Sequence, residues 1–292
     1  MQEALYRSYK KIPEPIKALF REQAKSISAR YHAWKYIRTL TKEQMKFWNE
    51  NGYIILKKAF SENRVEEINN LIDELWHERT QIKDLPLMID VFLETPDREL
   101  MKLADTSNDA RKHNYKLYDL FLEYQTVRNF VLDEVLAGPL AILLGGHPLV
   151  CNTINFEWGS EQDYHFDTFY MAPPKENKLV ATWIALEDIG DDAGPLKFIP
   201  GTHKIPPFVF PNGTTIPKHH ELPLVKEYVE KEVQKRGLKE EVFTAKAGDV
   251  LIWHAQLLHG GLPIKSPDKT RKSLVTHYWR SEDVDGNKVV KD

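Results

Sequence analysis

Cysteine is almost absent from this sequence, with Cys151 the single example in 292 residues. A lone thiol excludes an intramolecular disulfide framework, so stability must come from a buried core, which a chain of this length can build. Also missing are an apolar run long enough to cross a bilayer and a cleavable leader pattern, which sets the expectation of a reducing, cytoplasmic setting. No repeat or low-complexity tract is visible. Neither sign of charge is in large excess, the net being -3 at pH 7, and no nucleic-acid partner is expected. The charge is nevertheless uneven. Residues 1–40 carry nine Lys/Arg against three Glu, a net of +6, which leaves about -9 on the remainder. Interleaved with Tyr6, Tyr9, Phe20, Tyr31, Trp34 and Tyr36, this basic arm suits peripheral contact with an anionic membrane, on its inner face for a cytoplasmic protein. A solvated helical arm that packs its aromatics on the rest of the protein is the alternative.

Along the chain, Thr41 followed by Gln44 fits a capping box and predicts a helix that stops near Gly52. A short strand over Tyr53–Leu56 follows. Val65, Ile68, Leu71, Ile72, Leu75 and Trp76 recur at three and four, predicting an amphipathic helix from Ser61 to about Glu78. Residues 80–112 lack periodicity and read as a long irregular connection that could act as a lid. Helical patterning spans about Tyr115 to Leu144, with Pro139 in the first turn of a second segment and Gly145-Gly146 as the stop. From Leu149 the composition turns β-branched and aromatic. Strands are predicted at 149–158, 164–171, 178–187, 196–199, 241–245, 249–254, 258–263 and 272–280, enough for a sandwich or barrel. A Pro-rich loop over 204–222 and a helix over 223–237 form an insertion at 204–237.

Within the second of these strands lies His165-Phe166-Asp167. Strand side chains alternate with period two, so His165 and Asp167 would point to one side and offer an imidazole and a carboxylate to one point. Such a tripeptide is weak alone, since 11 His and 43 acidic residues produce roughly one or two by chance. A second match, His219-His220-Glu221, sits among prolines in a loop and reads as a solvated turn. What strengthens the first match is a distant imidazole, His259, at the end of an apolar run beside Gly260-Gly261. Two His and one carboxylate with open positions suit non-haem Fe(II). In the strand before His259, Val250, Ile252 and His254 share a face. Twelve positions beyond His259, Arg271 and Ser273 would share a strand face, and a guanidinium with a hydroxyl is a good receptor for a carboxylate.

From about Gly52 onward the chain resembles the phytanoyl-CoA dioxygenase family of Fe(II)/2-oxoglutarate oxygenases. The matching pieces are His165-Phe166-Asp167, Trp183-Ile184-Ala185-Leu186-Glu187-Asp188, Gly194-Pro195-Leu196 leading to Pro200-Gly201-Thr202-His203, Gly248-Asp249 through His254 to His259-Gly260, and Thr270-Arg271-Lys272-Ser273. The resemblance implies an all-β core with flanking helices, a double-stranded β-helix (jelly roll), over 41–292 beyond the 1–40 arm. It implies His165, Asp167 and His259 as iron ligands and Arg271 with Ser273 as the clamp on the distal carboxylate of 2-oxoglutarate. Asn155 would contact the cosubstrate's other end, and Trp183 and His254 would be pocket walls, with a buried core position for Trp183 and a hydrogen-bonding role behind the site for His254 as alternatives. Fe(II), 2-oxoglutarate and O2 are the expected cofactors. Hydroxylation of a small-molecule or glycan substrate is the expected reaction, and the retained Asp167 argues against halogenation. The membrane reading of the arm would favour lipid-linked sugars such as the Kdo of lipopolysaccharide, and acyl-CoAs and natural products belong to the same family repertoire. A non-catalytic jelly-roll binding module would have lost a ligand or the Arg, and a cupin-like metal enzyme would not need Arg271 and Ser273.

Overall fold

A computed structural model describes residues 40–284 apart from 212 and 216. The basic arm therefore lies outside the described residues, apart from Leu40. Helix α1 (Lys42–Asn51) opens with the expected capping box, Thr41 accepting from the Gln44 N–H while the Gln44 side chain accepts from Thr41, and it ends at Gly52. Strand β1 (Tyr53–Leu56) and helix α2 (Glu62–Glu78) follow, and α2 buries Val65, Ile68, Ile72, Leu75 and Trp76 as its period requires.

Next come β2 (Met88–Val91), β3 (Glu99–Lys102) and β4 (Tyr115–Tyr118), then α3 (Leu120–Glu123), α4 (Gln125–Val131) and α5 (Glu134–Leu144). Three expectations are corrected here. The stretch 80–112 is not structureless, because β2 pairs with both β3 and β4 and extends a sheet. Residues 115–118 are strand rather than helix, tied to β5 through Leu117 and Tyr118. Pro139 is also inside α5, not in its first turn, since Asp133 supplies the cap by accepting from the Val135 N–H.

The rest of the chain forms β5 (Pro148–Phe156), β6 (Leu179–Ala185), β7 (Leu196–Ile199), α6 (Leu222–Arg236), β8 (Glu241–Phe243), β9 (Val250–His254), β10 (Leu258–Gly261) and β11 (Ser273–Arg280). Eight strands make one antiparallel sheet in the order β1-β9-β6-β11-β5-β4-β2-β3, and β10-β7-β8 make a second. This is the expected jelly roll with flanking helices. Between the sheets lie Phe156, Trp183, Phe198, Phe243, Leu251, Trp253 and Val275. The opposite face of the large sheet, with Ile184, Ile252, Leu274 and Tyr278, packs on the helices through Ile68, Ile72, Phe130 and Leu140. The central strands are thus apolar on both faces. The insertion adds its own cluster, Phe210, Val225 and Val229 against Phe166 and Ile199.

A predicted strand over 164–171 is absent. His165 makes one antiparallel bridge with His259, Phe166 stays extended, and Asp167–Phe169 then closes into a single 3-10 turn. The second His-x-Glu match is likewise a one-turn 3-10 helix leading into α6.

Gly248 precedes β9 with φ +82, and a Cβ there would lie 2.2 Å from the Phe60 carbonyl oxygen, whereas Gly237 at φ +62 has open space around it. Gly237→Ala should cost only the left-handed backbone term of about 1–2 kcal/mol. Gly248→Ala should cost clearly more, because backbone must also move, and urea unfolding midpoints of the two variants measure the difference.

Candidate active site

The loop after β5 and the start of β10 meet at the bridge, where His165 N–H donates to His259 O at 2.9 Å and His259 N–H donates to His165 O at 3.2 Å. Their rings stand 4.3 Å apart between centroids. Because Phe166 is extended, Asp167 returns to the same side, and its N–H is fixed on Ala255 O at 3.1 Å. One ligand atom from each of His165, Asp167 and His259 lies within 4.8 Å of the others.

Each imidazole is aimed by its other nitrogen. His165 Nδ1 donates to Asp163 O at 2.9 Å and His259 Nδ1 donates to Leu257 O at 2.9 Å. Carbonyl oxygens only accept, so Nδ1 carries the proton and Nε2 keeps its lone pair, the arrangement a metal ligand needs. Burial and the nearby His259 push the His165 imidazole down to about 3, which keeps it neutral. Burial alone would raise the Asp167 carboxyl, but His259, His277 and His165 outweigh it and hold it below the usual carboxylate range. Asp167 Oδ2 accepts from the Trp253 indole at 2.8 Å, which leaves Oδ1 as the outward oxygen. The donor set fits a divalent iron.

Arg271 lies deeper between the sheets and is 1% exposed. Its Nη1 donates to Gly194 O at 3.1 Å and its Nε has no partner. Burial pushes the guanidinium down to about 10, opposed only by Glu161. A Cβ on Gly159 would meet Arg271 Nε at 2.8 Å, so this backbone can lie against the guanidinium only as glycine. Ser273 is fully buried nearby, with only a long 3.5 Å bond to Arg271 O, and the buried Trp183 indole N–H has no partner. An unpartnered nitrogen on a buried cation calls for an acceptor-only ligand, and a carboxylate is one.

Lys116 on β4 adds a second cation that sequence reasoning missed. Tyr118 opposes Ile154 of the inter-sheet core, so Lys116 and Tyr118 point to the inner side. The ammonium donates to Gln162 Oε1 at 3.2 Å, and burial with Arg98 lowers its pKa to about 8, with Arg271 acting in the same direction. Trp253 was missed as well, because the face of β9 chosen from the sequence was the other one.

Two expected contacts are corrected. Asn155 is opposite Leu274 on the helix-facing side, where it donates to Ser273 O at 3.2 Å and accepts from the Tyr115 hydroxyl at 3.4 Å. Alternation turns it away from the triad. His254 also faces outward, packing on Trp48 and on His203 of the turn after β7, and its Nδ1 accepts from the Gln256 N–H at 3.1 Å. Trp183 sits in the inter-sheet core, edge-on to Phe243.

Burial and the adjacent His203 push His254 down to about 4, and burial lowers His203 too. A His whose folded pKa is depressed leaves stability untouched above pH 6.5. Below that the unfolded chain gains the proton first, and stability falls by up to about 1.4 kcal/mol per pH unit per group until the folded pKa is reached. Metal-free protein should therefore lose stability between pH 6.5 and 4 in urea titrations, and His254→Phe should flatten that slope. An unchanged slope would remove this pair as its cause.

Comparison with known proteins agrees with this geometry. The chain is 26% identical to the peroxisomal phytanoyl-CoA dioxygenase of Mus musculus over 255 residues, covering 83% of this chain and 69% of that protein. The Homo sapiens protein of the same name is 24% identical over 267 residues, covering 86% and 73%. Among solved structures, the non-haem alpha-ketoglutarate-dependent carbocyclase SnoK of nogalamycin biosynthesis superimposes with TM-score 0.62 at 18% identity, over 82% of this chain and 84% of its own. EctD from S. alaskensis with 2-oxoglutarate and 5-hydroxyectoine gives 0.59 at 18% identity, over 84% and 77%. These two are likenesses of fold. The phytanoyl-CoA dioxygenase (PhyH) family model matches residues 48–273. With most of the chain inside that match, the protein belongs to the phytanoyl-CoA dioxygenase family, and its reaction class is that of a 2-oxoglutarate-dependent non-haem iron dioxygenase.

Proposed function

We propose that this chain hydroxylates an unactivated C–H bond of a small molecule, with His165, Asp167 and His259 holding Fe(II) and Arg271 clamping 2-oxoglutarate. The observation that carries the reading is a buried, carboxylate-free guanidinium in the same inter-sheet space as a convergent His-Asp-His set. When bound, Fe(II) and 2-oxoglutarate together with O2 supply the oxidising power for the insertion of oxygen, with succinate and CO2 as co-products.

The chain's own residues bind and orient. His165 and His259 present Nε2, and Asp167 presents Oδ1 while Trp253 restrains Oδ2. Arg271 and Ser273 receive the distal carboxylate. Lys116 offers its ammonium to the remaining negative charge of the cosubstrate. Phe156, Leu251 and Val275 line the space with apolar surface that excludes water. Tyr170 stands edge-on to the His165 ring and is 43% exposed, which supports placing the substrate entrance there. Glycans and lipid-linked sugars, the Kdo of lipopolysaccharide among them, fall within the proposed reaction class.

The protein should convert 2-oxoglutarate to succinate slowly without a prime substrate, in an Fe(II)-dependent manner, and a true substrate should accelerate this and appear as a product 16 mass units heavier. Asp167→Ala and His259→Ala should each abolish the turnover; full turnover in both would remove the metal assignment.

Arg271→Leu should raise the 2-oxoglutarate requirement far more than the iron requirement, because loss of a buried charge-assisted pair costs about 2–5 kcal/mol, a factor of tens to thousands. Equal cosubstrate binding by wild type and variant would place the clamp elsewhere.

A further inference from the structure

The two oxygens of Asp167 are held differently. Oδ2 belongs to the Trp253 indole, whereas Oδ1 has His259 Nε2 at 3.4 Å and a second imidazole, His277 Nε2, at 3.5 Å. His277 is on β11, six positions beyond Arg271 and 7% exposed. It does not belong to the set whose ligand atoms all lie within 4.8 Å of one another, so its place is beside the carboxylate and outside the ligand set.

The far side of its ring is built up. Nδ1 lies 3.3 Å from Asn152 Oδ1, and Asn152 Nδ2 donates to Asp119 Oδ1 at 3.0 Å. A carboxylate only accepts, so the Asn152 amide must turn its NH2 to Asp119 and its carbonyl to His277. Asp119 is pinned in turn, accepting from the Thr153 N–H at 3.0 Å and donating its own N–H to Thr153 O at 2.9 Å. It adopts φ 56, ψ 33, a left-handed conformation that costs a non-glycine residue free energy and persists only where its surroundings impose it. The register between β11 and β5 also slips between His277 and Tyr278, the kind of irregularity that re-aims a side chain. Strain and a register slip therefore accompany a line of four polar side chains that ends on Asp167 Oδ1.

We propose that His277 is a positioning residue for Asp167, and that Asn152 and Asp119 fix its ring. Because the Asn152 carbonyl takes the Nδ1 proton, His277 Nε2 can donate to Oδ1 only as the doubly protonated imidazolium; in that form Trp253 restrains one oxygen and His277 the other, and the carboxylate presents Oδ1 in one orientation. The inference rests on the metal reading of the triad, and its test separates the two.

Metal-free wild type, His277→Ala, His277→Gln and Asn152→Leu are titrated with Co(II), and both the affinity and the visible absorption spectrum of the bound ion are read, with thermal melting of each apo-protein alongside. His277→Ala should weaken binding by about 10- to 100-fold, the usual effect of removing a residue that orients a ligand, and should alter the spectrum. His277→Gln, whose amide can still reach Oδ1, should recover much of both. Asn152→Leu should move both in the same direction by less, and it decides the matter if His277→Ala does not fold. Wild-type affinity and spectrum in His277→Ala and Asn152→Leu would overturn the inference while leaving the triad intact. Failure of the wild type to bind Co(II) would overturn both.

Discussion

Two backbone hydrogen bonds between His165 and His259 join the loop after β5 to the small sheet, and the geometry of the site follows from them. They fix two imidazoles from segments almost a hundred residues apart at a ring separation of 4.3 Å. They also set where Asp167 falls, because one extended residue, Phe166, separates it from the bridge while its side chain is anchored in the opposite direction among the insertion's apolar residues. The site is therefore a property of the closure between the sheets. It is assembled from rigid elements on three sides, with β9 contributing Trp253, β10 contributing His259 and β11 contributing Arg271's neighbour Ser273.

Behind the triad the protein carries an electrostatic imbalance. Burying a guanidinium without a counter-charge is costly, and Arg271 has a carbonyl, the Phe156 ring 5.8 Å from its carbon and the influence of Glu161 to offset it. Lys116 is partly buried, with one amide oxygen as hydrogen-bond partner and Asp90 as its only favourable charge. Under the proposed function, a dianion such as 2-oxoglutarate would satisfy both cations at once. On that proposal the packed sandwich holds the two cations in place and ligand binding would relieve them. The same logic explains why glycine at position 159 lies against the guanidinium, where any side chain would displace it.

Much of this was legible in the chain. The capping box at Thr41, the α2 stripe, the glycine stop after the insertion helix and most of the late strands declare themselves through local chemistry, and they fall where expected. The convergence of His165, Asp167 and His259 and the burial of Arg271 were legible because His-x-Asp spacing and a later His and Arg would satisfy one reaction's needs together, which is the proposed one. Other features were not. Strands buried on both faces show no polar alternation, so the face of β9 that looks inward could not be chosen, and His254 was taken in place of Trp253. The same ambiguity put Asn155 on the wrong side of β5. The four-residue strands β2 and β4 are too short to carry a period of their own and owe their conformation to pairing with the sheet, which is why 80–112 looked irregular and Lys116 was passed over. His277 carries no motif at all; only the fold brings it to Asp167.

The central claim is that the His-Asp-His set, Arg271 and Lys116 together form one site for Fe(II) and 2-oxoglutarate. Its most direct test is an anaerobic titration of the apo-protein with both, followed by visible absorption. A metal-to-ligand charge-transfer band that requires Fe(II) and 2-oxoglutarate together and is missing in His259→Ala is the predicted result. A folded protein that binds either component alone but never develops the band would contradict the account.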